Sequence, residues 1–238
     1  DIKPIIGCEV YVNPEGRFTK RGKEDQSAHH LILLAKNLAG YYNLVKLVSL
    51  GYTEGFYYKP KIDKELLEKY HENLICSSAC LGGEIPQKIR RGDIDGARES
   101  IMWYKNLFGE DYYLEVQLHK TEIPGYAEDM YEQQVIVNKA IFELAQECGV
   151  KVIATNDVHF TRKEDGPAHD RLICLTTNAN YDDVKRLRYT QQEYLKTEEE
   201  MLALFPDHPE VISNTLEIAD KVEKYKIDCD HILPIFEI

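Results

Sequence analysis

Basic residues are the first shortage. The 238 residues carry 29 Lys and Arg against 41 Asp and Glu, a formal net charge of −12. That balance excludes a bare basic nucleic-acid-binding module, but not a site that meets phosphates through metal ions. Long apolar runs are also missing: nothing approaches the roughly 20 residues of a membrane span. No targeting segment is visible. Cysteine is sparse. Six are scattered, mostly inside apolar stretches, as Cys8, Cys76, Cys80, Cys148, Cys174 and Cys229. With no secretory signal before them, they point to a reduced, cytosolic compartment. No P-loop, Ser-His-Asp arrangement, internal repeat or low-complexity tract is present. There is no Met at position 1, and the last residues, Pro234 to Ile238, form an apolar phrase without a cap. Both ends look cut, which predicts a piece of a larger polypeptide.

What is present reads as an ordinary globular composition, with 43% hydrophobic and 29% charged residues. The length permits one large domain or a domain with an appendage. Strand-like runs occur at Ile5–Val12, His30–Ala35, Asn73–Ala79, Tyr112–Gln117 and Val152–Ala154. Helical spacing lies between them, at about Tyr41–Leu50, Lys61–Tyr70, Ile85–Arg91, Asp93–Phe108 and Tyr126–Cys148. Arg17 to Gln26 is charged and reads as an exposed loop. The alternation predicts an α/β fold with a mostly parallel sheet, which a (β/α) barrel or a doubly wound sheet satisfies. Beyond about Asn180 the pattern is helical only, at Thr197–Phe205 and His208–Val222.

The stretch Lys151–Phe160 organises the chain. A short apolar run, Val152-Ile153-Ala154, is followed by Asp157 and His159. Strand alternation would aim both side chains at one spot, at the end where parallel strands place their sites. The pair alone is more simply a solvated strand end. Four further ligand types sit near other elements. Glu9 lies inside an apolar strand, where an unpaired carboxylate is costly and a partner is expected. His30 opens an apolar run. Cys80 lies between a strand and Gly82-Gly83. His119 follows the strand that carries Glu115 and Gln117. Taken singly, a satisfied His or a small buried Cys explains these residues equally well or better. Taken together, mixed His, Asp, Glu and Cys at several strand ends argue for more than one divalent metal, with zinc, manganese or iron suited to the donors. Such a site activates water and clamps a phosphate oxygen, so phosphoester hydrolysis is the natural reaction class. Gly82-Gly83 could admit a phosphate but reads first as a plain turn. Cys76-x-x-x-Cys80 lacks a second zinc-binding pair. The clusters Lys88, Arg90, Arg91 and Lys185, Arg186, Arg188 read as solvated faces.

These phrases together resemble the PHP (polymerase and histidinol phosphatase) domain of bacterial C-family replicative polymerases, the DNA polymerase III alpha subunits. The carrying segments are Lys3–Val12, His30–Asn37 with Gly40-Tyr41 and Asn43-Leu44, Ser78–Ile85, Ala154–Phe160 and Ala168-His169-Asp170. Arg188-Tyr189, Glu198–Met201 and Asn214–Ala219 extend the likeness over essentially the whole chain. The His30–Asn37 phrase separates the polymerase branch from free-standing PHP phosphatases. The resemblance implies a distorted (β/α)7 barrel, incomplete at its N-terminus, over 1–180, and a helical extension over 181–238 leading toward the polymerase palm. It matches Glu9, His30, Cys80, Asp157 and His159 to the family's metal ligands, with Asp157 and His159 catalytic and His119 ranked below them. The family's His-x-His and Thr-Asp-His segments are absent, so the metal cluster would be incomplete here.

The implied activity is that of a DNA-directed DNA polymerase in the parent chain, with a metal-dependent 3′–5′ exonuclease in the PHP domain. The implied partners are DNA and other replicase subunits, such as a proofreading exonuclease, with no membrane. Two alternatives stand beside it. One is a catalytically silent scaffold that stabilises the polymerase and docks a proofreading subunit. The other is a free-standing PHP phosphoesterase.

Overall fold

A computed structural model describes residues 2–20, 22 and 28–228. Most of the charged stretch ending at Gln26, Cys229 and the closing phrase Pro234–Ile238 lie outside the described residues. The chain forms a mixed α/β structure with five strands: β1 (Gly7–Val12), β2 (His29–Ala35), β3 (Leu74–Ser77), β4 (Tyr112–Val116) and β5 (Lys151–Ala154). They lie in the order β1-β2-β3-β4-β5. The expectation of a mostly parallel sheet needs correction. β3, β4 and β5 are parallel, but β2 runs antiparallel to both β1 and β3. Reversing β2 brings its first residues, His29 and His30, to the edge where the other strands end.

Among the described residues there are eight α-helices: α1 (Leu38–Thr53), α2 (Lys64–Tyr70), α3 (Glu84–Arg90), α4 (Ile94–Phe108), α5 (Glu128–Cys148), α6 (Gly166–Thr177), α7 (Glu198–Leu204) and α8 (Glu210–Lys221). Their starts are written in the sequence. Asn37 caps α1 through Gly40 N–H at 3.1 Å, and Asp63 caps α2 through Leu66 N–H at 3.1 Å. Thr197 and Glu200 close a reciprocal capping box on α7. Gly149 ends α5 with φ +64°, a conformation that disfavours a Cβ.

The two faces of the sheet are different environments. Val10, Leu31, Leu33, Cys76, Leu114, Val116, Val152 and Ala154 belong to the main core beneath the helices. Ile75, Tyr113 and Ile153 point the other way and meet Ile218 and Val222 at the end of α8. Phe205, Val211 and Ile212 join the main core, so α7 and α8 pack on the same sheet as the rest of the chain. Asn214 Nδ2 donates to Val152 O at 2.8 Å and ties α8 to β5.

Arg17, expected in an exposed loop, is buried. Its guanidinium meets Glu54 at 2.7 Å, Asp63 at 3.0 Å and Glu65 at 3.3 Å. The basic clusters are corrected in part: Arg90, Arg91 and Lys185 are exposed as expected, but two members turn inward. Lys88 binds Glu84 at 3.1 Å, and Arg186 is buried against Asp170 at 2.6 Å. A charge run has no helical period, so the sequence does not show that its members reach inward to partners far along the chain. Among the described residues no helix is long and apolar enough to cross a membrane.

Candidate metal centre

Strand register builds the first half of the site. Glu9 lies opposite Ile32, and Tyr11 lies opposite His30. Opposed residues share a face, so Glu9 and His30 become diagonal neighbours on the same side. Glu9 Oε1 lies 2.9 Å from His30 Nδ1. Cys80, in the turn after β3, places Sγ 3.4 Å from the same nitrogen. The turn is fixed in place: His30 N–H donates to Gly82 O at 3.0 Å, and Gly82 N–H donates to Cys80 Sγ at 3.4 Å. A Cβ on Gly83 would stand 2.1 Å from Ser78 O, so glycine here serves backbone approach within the protein. The edge of the Tyr11 ring meets the His30 ring at a centroid distance of 5.0 Å.

His30 therefore joins two acidic partners. The hydrogen bond with Cys80, then that with Glu9, pushes its pKa up to about 10 against the opposing effect of burial. The same bond to His30 lowers the Glu9 pKa. The costly buried carboxylate expected at Glu9 is also revised. Its side chain is 36% exposed, because Glu9 points away from the main core.

The second half is not made by strand alternation. β5 stops at Ala154, and Asp157 has φ +44°, a left-handed conformation that Asp tolerates better than most residues. Residues 155–160 are stitched instead to 190–194. Asn156 Nδ2 donates to Gln192 O at 2.8 Å and Tyr194 O at 2.6 Å. His159 N–H donates to Glu193 O at 2.8 Å. The His159 ring nitrogen Nδ1 then lies 2.6 Å from the Asp157 carbonyl oxygen, to which it can only donate. That bond selects the Nδ1–H tautomer and leaves Nε2 as a lone pair, the arrangement of a metal-ligating histidine. The Asp157 carboxylate Oδ1 is 3.9 Å from Nδ1. Burial raises the Asp157 pKa, and the charges of Glu9 and Glu193 raise it further. Glu9 in turn lies within electrostatic reach of His159.

His119 has a different role. It is 2% exposed and both ring nitrogens are engaged. Nε2 donates to Asn156 O at 3.2 Å, and Nδ1 accepts from Gln134 Nε2 at 3.0 Å. Burial lowers its pKa, keeping the ring neutral. His119 thus braces the turn that carries Asp157. Replacing His119 by Ala leaves both partners unsatisfied in a buried place and is expected to lower stability by about 2 kcal/mol, measured by denaturant unfolding.

Several groups beside the site had no role assigned from sequence. Glu115 is buried on β4, accepting from Ser77 Oγ at 2.6 Å, from Gln117 Nε2 at 3.0 Å and from Thr155 Oγ1. Glu193 is 1% exposed. Its Oε1 accepts from Thr190 Oγ1 at 2.6 Å, and its Oε2 has no partner among the described residues. The His169 and Tyr189 rings pack against His159, at 5.6 and 4.5 Å. Sequence spacing carries no signal for these, because they come from α6 and from the loop before α7.

Among the described residues no three His, Cys, Asp or Glu side chains stand as a ready-made metal-holding group. Carboxylate, imidazole and thiol nevertheless meet at His30 Nδ1. With the free Nε2 of His159 opposite, the donors suit a borderline divalent ion in kind.

The fold defines a mixed α/β protein, and the chain belongs to the PHP-domain family, whose pattern matches residues 1–119. Its relatives are more specific. The chain is 44% identical over 240 residues to the DNA polymerase III subunit alpha of Borreliella burgdorferi, covering 100% of this chain and 20% of that protein. It is 41% identical over 246 residues to that of Treponema pallidum, covering 100% and 20%. It is 42% identical over 240 residues to that of Thermus aquaticus, covering 98% and 18%. The chain thus spans about a fifth of the length of the curated relatives it matches.

Proposed function

We propose that this chain is the PHP region of a replicative DNA polymerase of the DNA polymerase III alpha type, working in the cytoplasm with DNA and other replicase subunits. Residues 1–180 form part of a distorted (β/α)7 barrel, and 181–238 form a helical extension toward the polymerase palm. The barrel carries a metal-dependent phosphoesterase site of the 3′–5′ exonuclease kind. The observation that supports this reading is the convergence of Glu9, His30 and Cys80 opposite Asp157 and His159.

Glu9, His30, Cys80, Asp157 and His159 would hold the metals, with zinc, manganese or iron suited to the donors. Bound divalent ions supply Lewis acidity toward a phosphoryl oxygen. His30 must first release its Nδ1 proton, so metal uptake tightens as pH rises toward 10. His159 presents Nε2 because Asp157 O holds Nδ1–H. Asp157, whose pKa is raised, can take up a proton from the attacking water and return it to the leaving alkoxide.

The test is metal stoichiometry of the full-length polymerase and of its His159→Ala variant, with hydrolysis of a 3′-terminal phosphodiester measured beside it. Stoichiometric metal, lost with the activity in the variant, is the expected result. A metal-free parent, or hydrolysis unchanged in the variant, overturns the reading. A second reading, a silent scaffold that docks a proofreading subunit, is favoured by one feature: in this structure Glu9 and Cys80 are both bonded to His30.

A further inference from the structure

Tyr189 stands beside His159, in the second half of the site. Its ring packs on His159 at 4.5 Å and against His169 at 5.4 Å, the latter edge to face. His169 also meets Phe160 at 5.1 Å. The ring is therefore clamped by neighbours from α6 and from the Asp157 turn. The phenol is half-buried, yet among the described residues its hydroxyl has no hydrogen-bond partner, whereas Tyr194, five residues on, spends its hydroxyl on Glu200 at 2.7 Å.

The surroundings of that hydroxyl are acidic. Burial raises the Tyr189 pKa, and the charges of Asp157, Glu193, Cys80 and Glu9 raise it further. These groups come from four separate segments, and the phenol lies within electrostatic reach of all of them. A neutral phenol with a free O–H is a donor in a site whose other side chains are mostly acceptors.

We propose that Tyr189 is a substrate-binding residue of this site, its phenol O–H donating to a non-bridging oxygen of a phosphate ester held between the Glu9–His30–Cys80 and Asp157–His159 groups. This rests on the phosphoesterase reading above and adds a residue to it. Packing against His159 and His169 holds the phenol ring in place, so the bond needs little side-chain ordering when the ester arrives. The donor is neutral, so it adds no charge to the site and recognises the phosphoryl group rather than a cation.

The experiment uses the full-length polymerase and its Tyr189→Phe variant, which keeps the ring and its packing and removes the hydroxyl alone. Inorganic phosphate binding is measured by calorimetry with Mn²⁺ present, and 3′-terminal phosphodiester hydrolysis is followed in parallel. Loss of one hydrogen bond to a charged acceptor is expected to weaken phosphate binding by roughly tenfold, with Mn²⁺ affinity unchanged. Phosphate binding equal in variant and parent overturns the assignment and leaves the phosphoesterase reading standing. A parent that neither binds phosphate nor hydrolyses the ester overturns both. A fall in Mn²⁺ affinity in the variant also overturns it, because the hydroxyl would then serve the metal and not the ester.

Discussion

Replacing Arg186 by Met is expected to lower the stability of the fold by about 3 kcal/mol, the low end of the range for breaking one partner of a buried pair. Arg186 NH1 and NH2 each lie 2.6 Å from an oxygen of Asp170, a bidentate contact. The two side chains are 0% and 3% exposed. Tyr126 OH also donates to Asp170 Oδ2 at 3.1 Å, and Tyr181, itself exposed, lies over the guanidinium at 5.0 Å. The low end applies because that cover is thin. The Met side chain restores volume but leaves the Asp170 carboxylate buried with one phenol donor. Replacing both residues, Arg186→Met with Asp170→Leu, is expected to recover most of the loss. Urea unfolding with a constant m-value measures it. A loss below about 1 kcal/mol in the single variant would place the pair among solvated surface bridges. The pair ties α6 to the 181–188 loop, so its loss also slackens the segment that carries His169 and Tyr189.

The second large effect belongs to Glu84, at the start of α3. Its carboxylate is 7% exposed and meets Lys64 Nζ and Lys88 Nζ, each at 3.1 Å. Ser100 Oγ donates at 2.6 Å and Tyr104 OH at 3.2 Å. Burial alone would raise the Glu84 pKa. The charge of Lys64, the Ser100 bond and Lys88 outweigh it and bring the pKa to about 2. A carboxylate depressed in the folded state stabilises the fold above its ordinary pKa, and that stability disappears as pH falls through the folded value. The window therefore runs from about pH 4.5 down to about 2. Glu84→Gln keeps the shape and removes the charge. At pH 7 it is expected to cost about 3 kcal/mol, and the gap to the parent should close across that window. The two stability curves, measured by denaturant titration at several pH values, check this. A gap independent of pH would assign the effect to packing and not to charge.

The local elements were largely legible in the sequence. The helix expected from about Tyr41 begins earlier, at Leu38 behind its Asn37 cap, the helices expected to end at Phe108 and Cys148 stop there before Gly109 and Gly149, and the apolar runs at Leu31–Ala35 and Val152–Ala154 became strands. These signals are short-range, so a linear reading finds them. The residue types Glu9, His30, Cys80, Asp157 and His159 were legible as chemistry, and the structure brings Glu9 and Cys80 to His30 and Asp157 to His159. The route by which Asp157 and His159 meet was misread, because alternation was extended past Ala154 into a turn. The turn is held by Gln192, Glu193 and Tyr194, more than 30 residues away in sequence.

What the sequence determined by itself is the α/β class, most element positions and the set of metal-competent residue types, each a matter of neighbours along the chain. What only the tertiary structure decided is the direction of β2, the role of His119 as a brace, the burial of Arg17 and Arg186, and the contact of Tyr189 with His159. Each of these depends on register or on contacts between distant segments. A strand reads the same whether it runs up or down the sheet, and the periodicity of a chain carries no record of which remote residue satisfies a given polar atom.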